Sequence, residues 1–160
     1  MMDCKKALSD AAVSGDIEKA MNWLRMKGIA RSSQGERISQ EGLIAFLYTT
    51  NVCTLIEVNS ETDFVGKNEK FHSFVAMLAG VCNRTMPSDG AIDVTTLLKE
   101  SSGEGYATGE TIAESLGDIV SQIRETIVIR RAVNISTPTS SSVLAGYEFN
   151  CILRSRDVLE

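Results

Sequence analysis

Apolar positions recur at helical spacing through the amino-terminal part of the chain. Cys4, Ala7, Leu8, Ala11 and Ala12 form one stripe, with Asp3 placed to cap it. Ser14-Gly15 interrupts. Asp16 then opens a second stripe of Ile17, Ala20, Met21 and Leu24, with Trp23 beside it. Arg25 and Lys27 fall in the last turn, where the helix dipole favours cations, and Gly28 is expected to stop the helix. The spacing predicts two helices of about 11 residues each, a length that is marginal alone in water. They must pack on each other and on a further element.

Residues 28–41 are polar and aperiodic and read as a linker or extended arm. Gly42 to Tyr48 then reads as a strand with two apolar faces, expected to be covered on both sides. Thr49-Thr50-Asn51 turns the chain, and Val52 to Val58 returns as a second strand. Asn68 is placed to cap a helix whose stripe is Phe71, Phe74, Val75, Leu78, Val81 and Cys82. Residues 86–90 end that unit, and Val94 to Leu98 predicts one short helix. Residues 101–109 form a glycine-containing loop. Beside Gly103 and Gly105 the third glycine, Gly109, is misplaced for a dinucleotide fingerprint, and no strand precedes them. A helix from Glu110 carries Ile112, Leu116, Ile119, Val120 and Ile123 on one face. A strand from Ile127 through Val133 and Ile135, a turn at 137–142 and a strand from Val143 to Leu153 complete the pattern. Helices and strands alternate without strict βαβ order, which predicts an α+β fold: a small helical module followed by a mainly antiparallel sheet packed with helices.

Composition narrows the function classes. With 43% hydrophobic and 23% charged residues, the chain can bury a core without disulfide staples. Its net charge of −5 argues against direct nucleic-acid binding, which favours a basic face, although Arg124, Arg130 and Arg131 are candidates for a local patch. No apolar run approaches the ~20 residues needed to span a bilayer. Cys4, Cys53, Cys82 and Cys151 show no metal or redox spacing and read as reduced, buried thiols of an intracellular compartment. Asn83 and Asn134 match the glycosylation pattern by chance, with no secretory signal ahead of them. His72, the sole histidine, reads as a surface residue, and Glu57 and Glu61 do not resolve into a catalytic carboxylate pair. No phosphate loop, metal cluster or nucleophile–base pair is visible. An enzyme is therefore not expected, and no cofactor or metal is assigned.

What stands out is the polar turn after the second strand, where an acid and a large aromatic lie side by side as Asp63-Phe64. By itself Phe64 reads as a core residue and Asp63 as a turn or cap. Residues 1–8 (Met-Met-Asp-Cys-Lys-Lys-Ala-Leu), Gly15 to Ala20 and Trp23-Leu24-Arg25 closely resemble the amino-terminal module of the elongation factor Ts family. Glu57-Val58-Asn59 with Thr62-Asp63-Phe64-Val65 resembles that family's second hallmark, and Ile123 to Arg131 is a weaker third match. The three are collinear over most of the chain.

The resemblance implies a guanine-nucleotide exchange factor that promotes GDP release from elongation factor Tu. It further implies a ubiquitin-associated-like module at 1–28, a linker at 29–41, a core subdomain at 42–136 and a remnant of a second core subdomain at 137–160. Met1 and Met2 would contact the GTPase, Asp63 and Phe64 would enter near its magnesium and phosphate site, and Ile123 would lie at the same interface. Thr62, Val65 and Arg124 flank those positions and complete the expected partner-binding set. Against the family pattern, the first helix of the module and most of the second core half are missing. Arg124 stands where glycine is usual, and residues 147–154 replace a strand pair containing histidine and glycine. Such divergence slightly favours an organellar, for example mitochondrial, origin over a bacterial cytoplasm. The alternative reading is a non-catalytic interaction module of the ubiquitin-associated type.

Overall fold

The computed structural model describes residues 2–33, 41–49, 51–86, 89–103, 111–137 and 142–147. Strands β1 (Glu41–Tyr48), β2 (Val52–Ser60), β3 (Gly90–Ile92) and β4 (Ile127–Ser136) form one antiparallel sheet in the order β1-β2-β4-β3. Strand alternation sends Leu43, Ala45 and Leu47 of β1 and Thr54, Ile56 and Val58 of β2 to one face. Helix α3 (Glu69–Thr85) covers that face, burying Phe71, Phe74, Val75, Leu78, Val81 and Cys82 as its spacing predicts. The α+β class with an antiparallel sheet is therefore as expected. Asn68 caps α3 by accepting the Lys70 amide, and Asp93 caps the short α4 (Val94–Leu97).

Helix α5 (Ile112–Ile123) closes the core with Ile112, Leu116, Ile119 and Val120. Thr111 and Glu114 form a reciprocal capping box at its start. Its other end stops on Arg124, whose φ of 66° is left-handed. A glycine takes that conformation freely, whereas a side chain there meets its own carbonyl.

The helical pair belongs to the same body. Helices α1 (Met2–Ser9) and α2 (Ile17–Ser33) enclose Ala7, Val13 and Ala20, with Trp23 and Leu24 against them. Trp23 Nε1 donates to Asp10 at 3.1 Å, and Asp16 caps α2 by accepting the Glu18 and Lys19 amides. On its other side α2 docks on α5. Arg25 forks onto Asp118 at 2.7 and 3.2 Å, and Ser121 Oγ donates to the Leu24 carbonyl.

Several expectations are corrected. Asp3 lies inside the first turn of α1 rather than capping it, and it pairs with Lys27 at 2.6 Å. Helix α1 ends at Ser9, because Asp10 draws the Ala12 amide into a turn, leaving Ala11 and Ala12 outside. Gly28 does not stop α2: a mid-helix glycine costs only about 1 kcal/mol, which contacts to α1 and α5 outweigh. The helix therefore continues into the supposed linker, of which residues 34–40 lie outside the described residues. Among the described residues, strand β1 is only partly covered on its outer face. Among the described residues it pairs with β2 alone, Ile44 is 68% exposed, and its outer face meets a close approach of Gly146 to the Phe46 ring. Residues 143–147 form no strand, and the rest of that expected strand lies outside the described residues. So do residues 104–110 of the glycine-containing loop.

Cysteine burial is also uneven. Cys53 and Cys82 are buried as expected, but Cys4 is exposed and Cys151 lies outside the described residues. Burial pushes the Cys82 thiol up to about 12, and raises that of Cys53. Asn134 is fully buried, bonded to Thr54 and to the Cys82 carbonyl, so the glycosylation match there is inaccessible.

Two outcomes follow from this packing. Arg124→Gly should raise stability by roughly 0.5–1 kcal/mol, the relief of left-handed strain less the added freedom of the unfolded chain, read as a higher denaturant midpoint. In native protein a maleimide should modify Cys4 well before Cys53 or Cys82, as read by peptide mass mapping, with the buried pair reacting only on unfolding.

Candidate partner-binding loop

Strand β2 ends at Ser60 and α3 begins at Glu69, so residues 61–68 must turn the chain at the sheet's end. Gly42 makes room at the base of this turn. Its φ is +142°, and a Cβ there would collide with the Val58 and Asn59 backbone. The first half of the turn is clamped. Glu125 accepts the Thr62 amide at 3.1 Å and the Thr62 hydroxyl at 2.9 Å, while Glu61 accepts the Thr126 amide at 2.9 Å. Each corner supplies a carboxylate to the other's backbone. Ser60 Oγ adds a bond to the Thr62 carbonyl.

The second half is anchored from below. Val65 is 3% exposed and joins the core, and residues 65–67 make one 3-10 turn. His72 Nε2 lies 2.6 Å from the Gly66 carbonyl. Held on both sides, the tip Asp63-Phe64 projects, and Phe64 is 75% exposed. Lys67 sits over that ring, 5.7 Å from its centroid, and pairs with Asp63 at 3.2 Å. An exposed pair of this kind contributes at most ~1 kcal/mol, so it orders the tip without sealing it.

Beside the ring runs an open groove of about 560 Å³, lined in part by Phe64, Val65, Asn68, Lys70, Gln122 and Ile123. Lys70 bridges α3 to α5 by donating to Gln122 at 2.7 Å. Charge on the neighbouring sheet is settled internally. Glu57 pairs with Arg131 at 2.6 Å and Arg130 at 3.5 Å, at the β-bulge between Glu57 and Val58. Glu57 and Glu61 therefore serve different partners and are no carboxylate pair.

Of the expected partner-binding residues, the structure brings Phe64, Val65 and Ile123 to one groove and ties Thr62 to the corner that carries Arg124. Asp63, Phe64 and Arg124 are exposed, whereas Thr62 and Ile123 are half-buried. Val65 is 3% exposed: its side chain packs in the core and anchors the loop from below, while it also lines the groove. Met2 is 68% exposed on α1 but does not line the groove, and Met1 lies outside the described residues. Sequence reasoning assigned no role to Glu61, Lys67 or Glu125. Only Asp63 and Lys67, four residues apart, carried a local signal. His72, read as a surface residue, is half-buried and turned toward the loop.

Comparison with known proteins gives the geometry a lineage. The elongation factor Ts family model matches residues 61–150, from the clamp onward and over more than half of the chain. The chain belongs to the elongation factor Ts family. An elongation factor Ts of Gluconobacter oxydans is 39% identical over 148 residues, 92% of this chain and 45% of that protein. That of Sphingopyxis alaskensis is 39% identical over 94% of this chain and 45% of its own length. That of Rhodospirillum centenum is 41% identical over 85% and 41%. The chain thus spans less than half the length of these curated relatives. They are bacterial, and give no support to the organellar origin expected from divergence. Among the described residues, no helix is long and apolar enough to cross a membrane.

The clamp has a measurable weight. Glu125→Ala should lower stability by about 2 kcal/mol, the range for a hydrogen bond to a charged group, and should speed exchange of the Thr62 amide, both followed by denaturation and hydrogen-exchange NMR.

Proposed function

We propose that the chain promotes GDP release from elongation factor Tu, with Asp63 and Phe64 as the displacing elements. One observation carries this reading: Phe64 stands 75% exposed on a loop pinned at both ends. Large exposed aromatics on rigid supports are characteristic binding anchors. The relatives' names supply the translation setting, and the nucleotide-exchange role extends it.

The physics is linkage. A factor that binds the nucleotide-free GTPase more tightly than the GDP form weakens GDP binding by the same factor that GDP weakens its own. No bond-making chemistry is required. In the partner, Mg²⁺ bridges phosphate oxygens and switch elements, so displacing those elements releases the nucleotide. The ring supplies buried apolar area, the Asp63 carboxylate accepts hydrogen bonds from the displaced backbone, and Ile123 extends the apolar contact along the groove. Lys67 must leave Asp63 and the ring for this to happen, at the small cost of an exposed pair. Met2, at the start of α1, and Met1, which precedes it in the sequence, form a second contact with the GTPase, and Arg124 lies at the rim of the first.

Release of labelled GDP from elongation factor Tu should accelerate when the chain is added at micromolar concentration. Phe64→Ala should lower that acceleration roughly 10- to 100-fold, the equivalent of losing about 1.5–3 kcal/mol of aromatic burial. The melting temperature should move by no more than about 2 °C, because the ring contributes little to the isolated fold. Binding without faster release would reduce the chain to an interaction module of the ubiquitin-associated type.

A further inference from the structure

We propose that His72 is a positioning residue for the Phe64 ring, acting by donating its Nε2–H to the carbonyl of Gly66. The proposal rests on the reading that Phe64 meets the partner, but its structural half stands independently.

The two halves of the loop are held differently. The first is clamped by charged side chains from both corners. The second is a single 3-10 turn whose own bonds are Lys67 amide to Phe64 carbonyl at 3.1 Å and Asn68 amide to Val65 carbonyl at 3.0 Å. One turn of 3-10 helix has poor bond geometry and little cooperativity. Gly66, in its middle, is buried, so its carbonyl requires a partner within the fold. The ring nitrogen of His72 stands 2.6 Å from it. A carbonyl only accepts, so Nε2 must carry the proton.

The donor is itself well fixed. His72 lies in the first turn of α3, and its amide donates to the Asn68 carbonyl at 3.0 Å. Its neighbours Phe71 and Phe74 are fully buried, so the helix does not shift under it. The bond therefore registers the backbone two residues after Phe64 against a helix whose apolar stripe is buried in the core. Without it, Val65 is left as the buried anchor on that side and the ring sweeps a wider arc. The factor must then order the loop on binding. Such a penalty raises the concentration needed for half-maximal exchange while leaving the limiting rate unchanged.

The tautomer of the wild-type ring is the first test, read by long-range ¹H–¹⁵N NMR of the whole chain. A proton on Nε2 is expected, and a neutral ring protonated on Nδ1 instead would overturn the proposal. Then His72→Ala should speed hydrogen exchange at the Lys67 and Asn68 amides about tenfold, as local opening replaces a fixed turn. It should also raise the half-saturating concentration for GDP release roughly 3- to 10-fold at constant limiting rate. His72→Gln keeps an amide donor within reach and should restore both. Unchanged loop amides in His72→Ala, or no rescue by His72→Gln, would overturn the role of the donor. If the wild-type chain fails to accelerate GDP release, the exchange reading falls, while the tautomer and the amides still decide the role of His72.

Discussion

The Glu125 carboxylate grips Thr62 by amide and hydroxyl together, and Glu61 returns the favour at the Thr126 amide. These bonds join the end of β2 to the corner between α5 and β4, two places more than 60 residues apart in the chain. Charge-assisted bonds to backbone amides are among the stronger ones available to a half-buried site. With both corners held, Asp63 and Phe64 have no slack to fold back onto the core. An aromatic ring that would normally seek burial is kept in solvent by its neighbours' bonds.

The rest of the fold serves that arrangement. The buried stripe of α3 fixes the helix that receives the loop, and α5 delivers Ile123 and the Arg124 corner to the same groove. The left-handed Arg124 permits a tight exit from α5 directly into Glu125 and Thr126. A side chain there carries strain that glycine would relieve, which ties the geometry of the clamp to a local energetic penalty. The helical pair is braced on the far side of α5 by Arg25 and Asp118. A single helix thus meets the amino-terminal cluster and lines the groove beside the projecting loop.

Much of this was legible in the chain. The period of α3 and α5, the caps at Asn68 and Asp16, and the strands around Asn51 all follow local rules of spacing and turn chemistry. The oddity of Asp63-Phe64 was visible too, but its direction was not: on sequence alone Phe64 read as core. Val65 shows the converse, since adjacent residues on an irregular turn have no fixed period to say which points inward. Gly28 misled because a local stop signal of about 1 kcal/mol was set against packing that local reading does not see. The apolar faces of β1 do not reveal that, among the described residues, it lies at the end of the sheet.

Sequence by itself determined most of the element types, most of the core stripes and the family, because these depend on residues close together or on collinear motifs. Tertiary structure alone decided that Glu61, Glu125 and His72 converge on one loop, and therefore that Phe64 faces outward. The physical reason is that a hydrogen bond between corners distant in sequence leaves no periodic trace in either. Its partners are ordinary polar residues until the sheet and two helices bring them within reach.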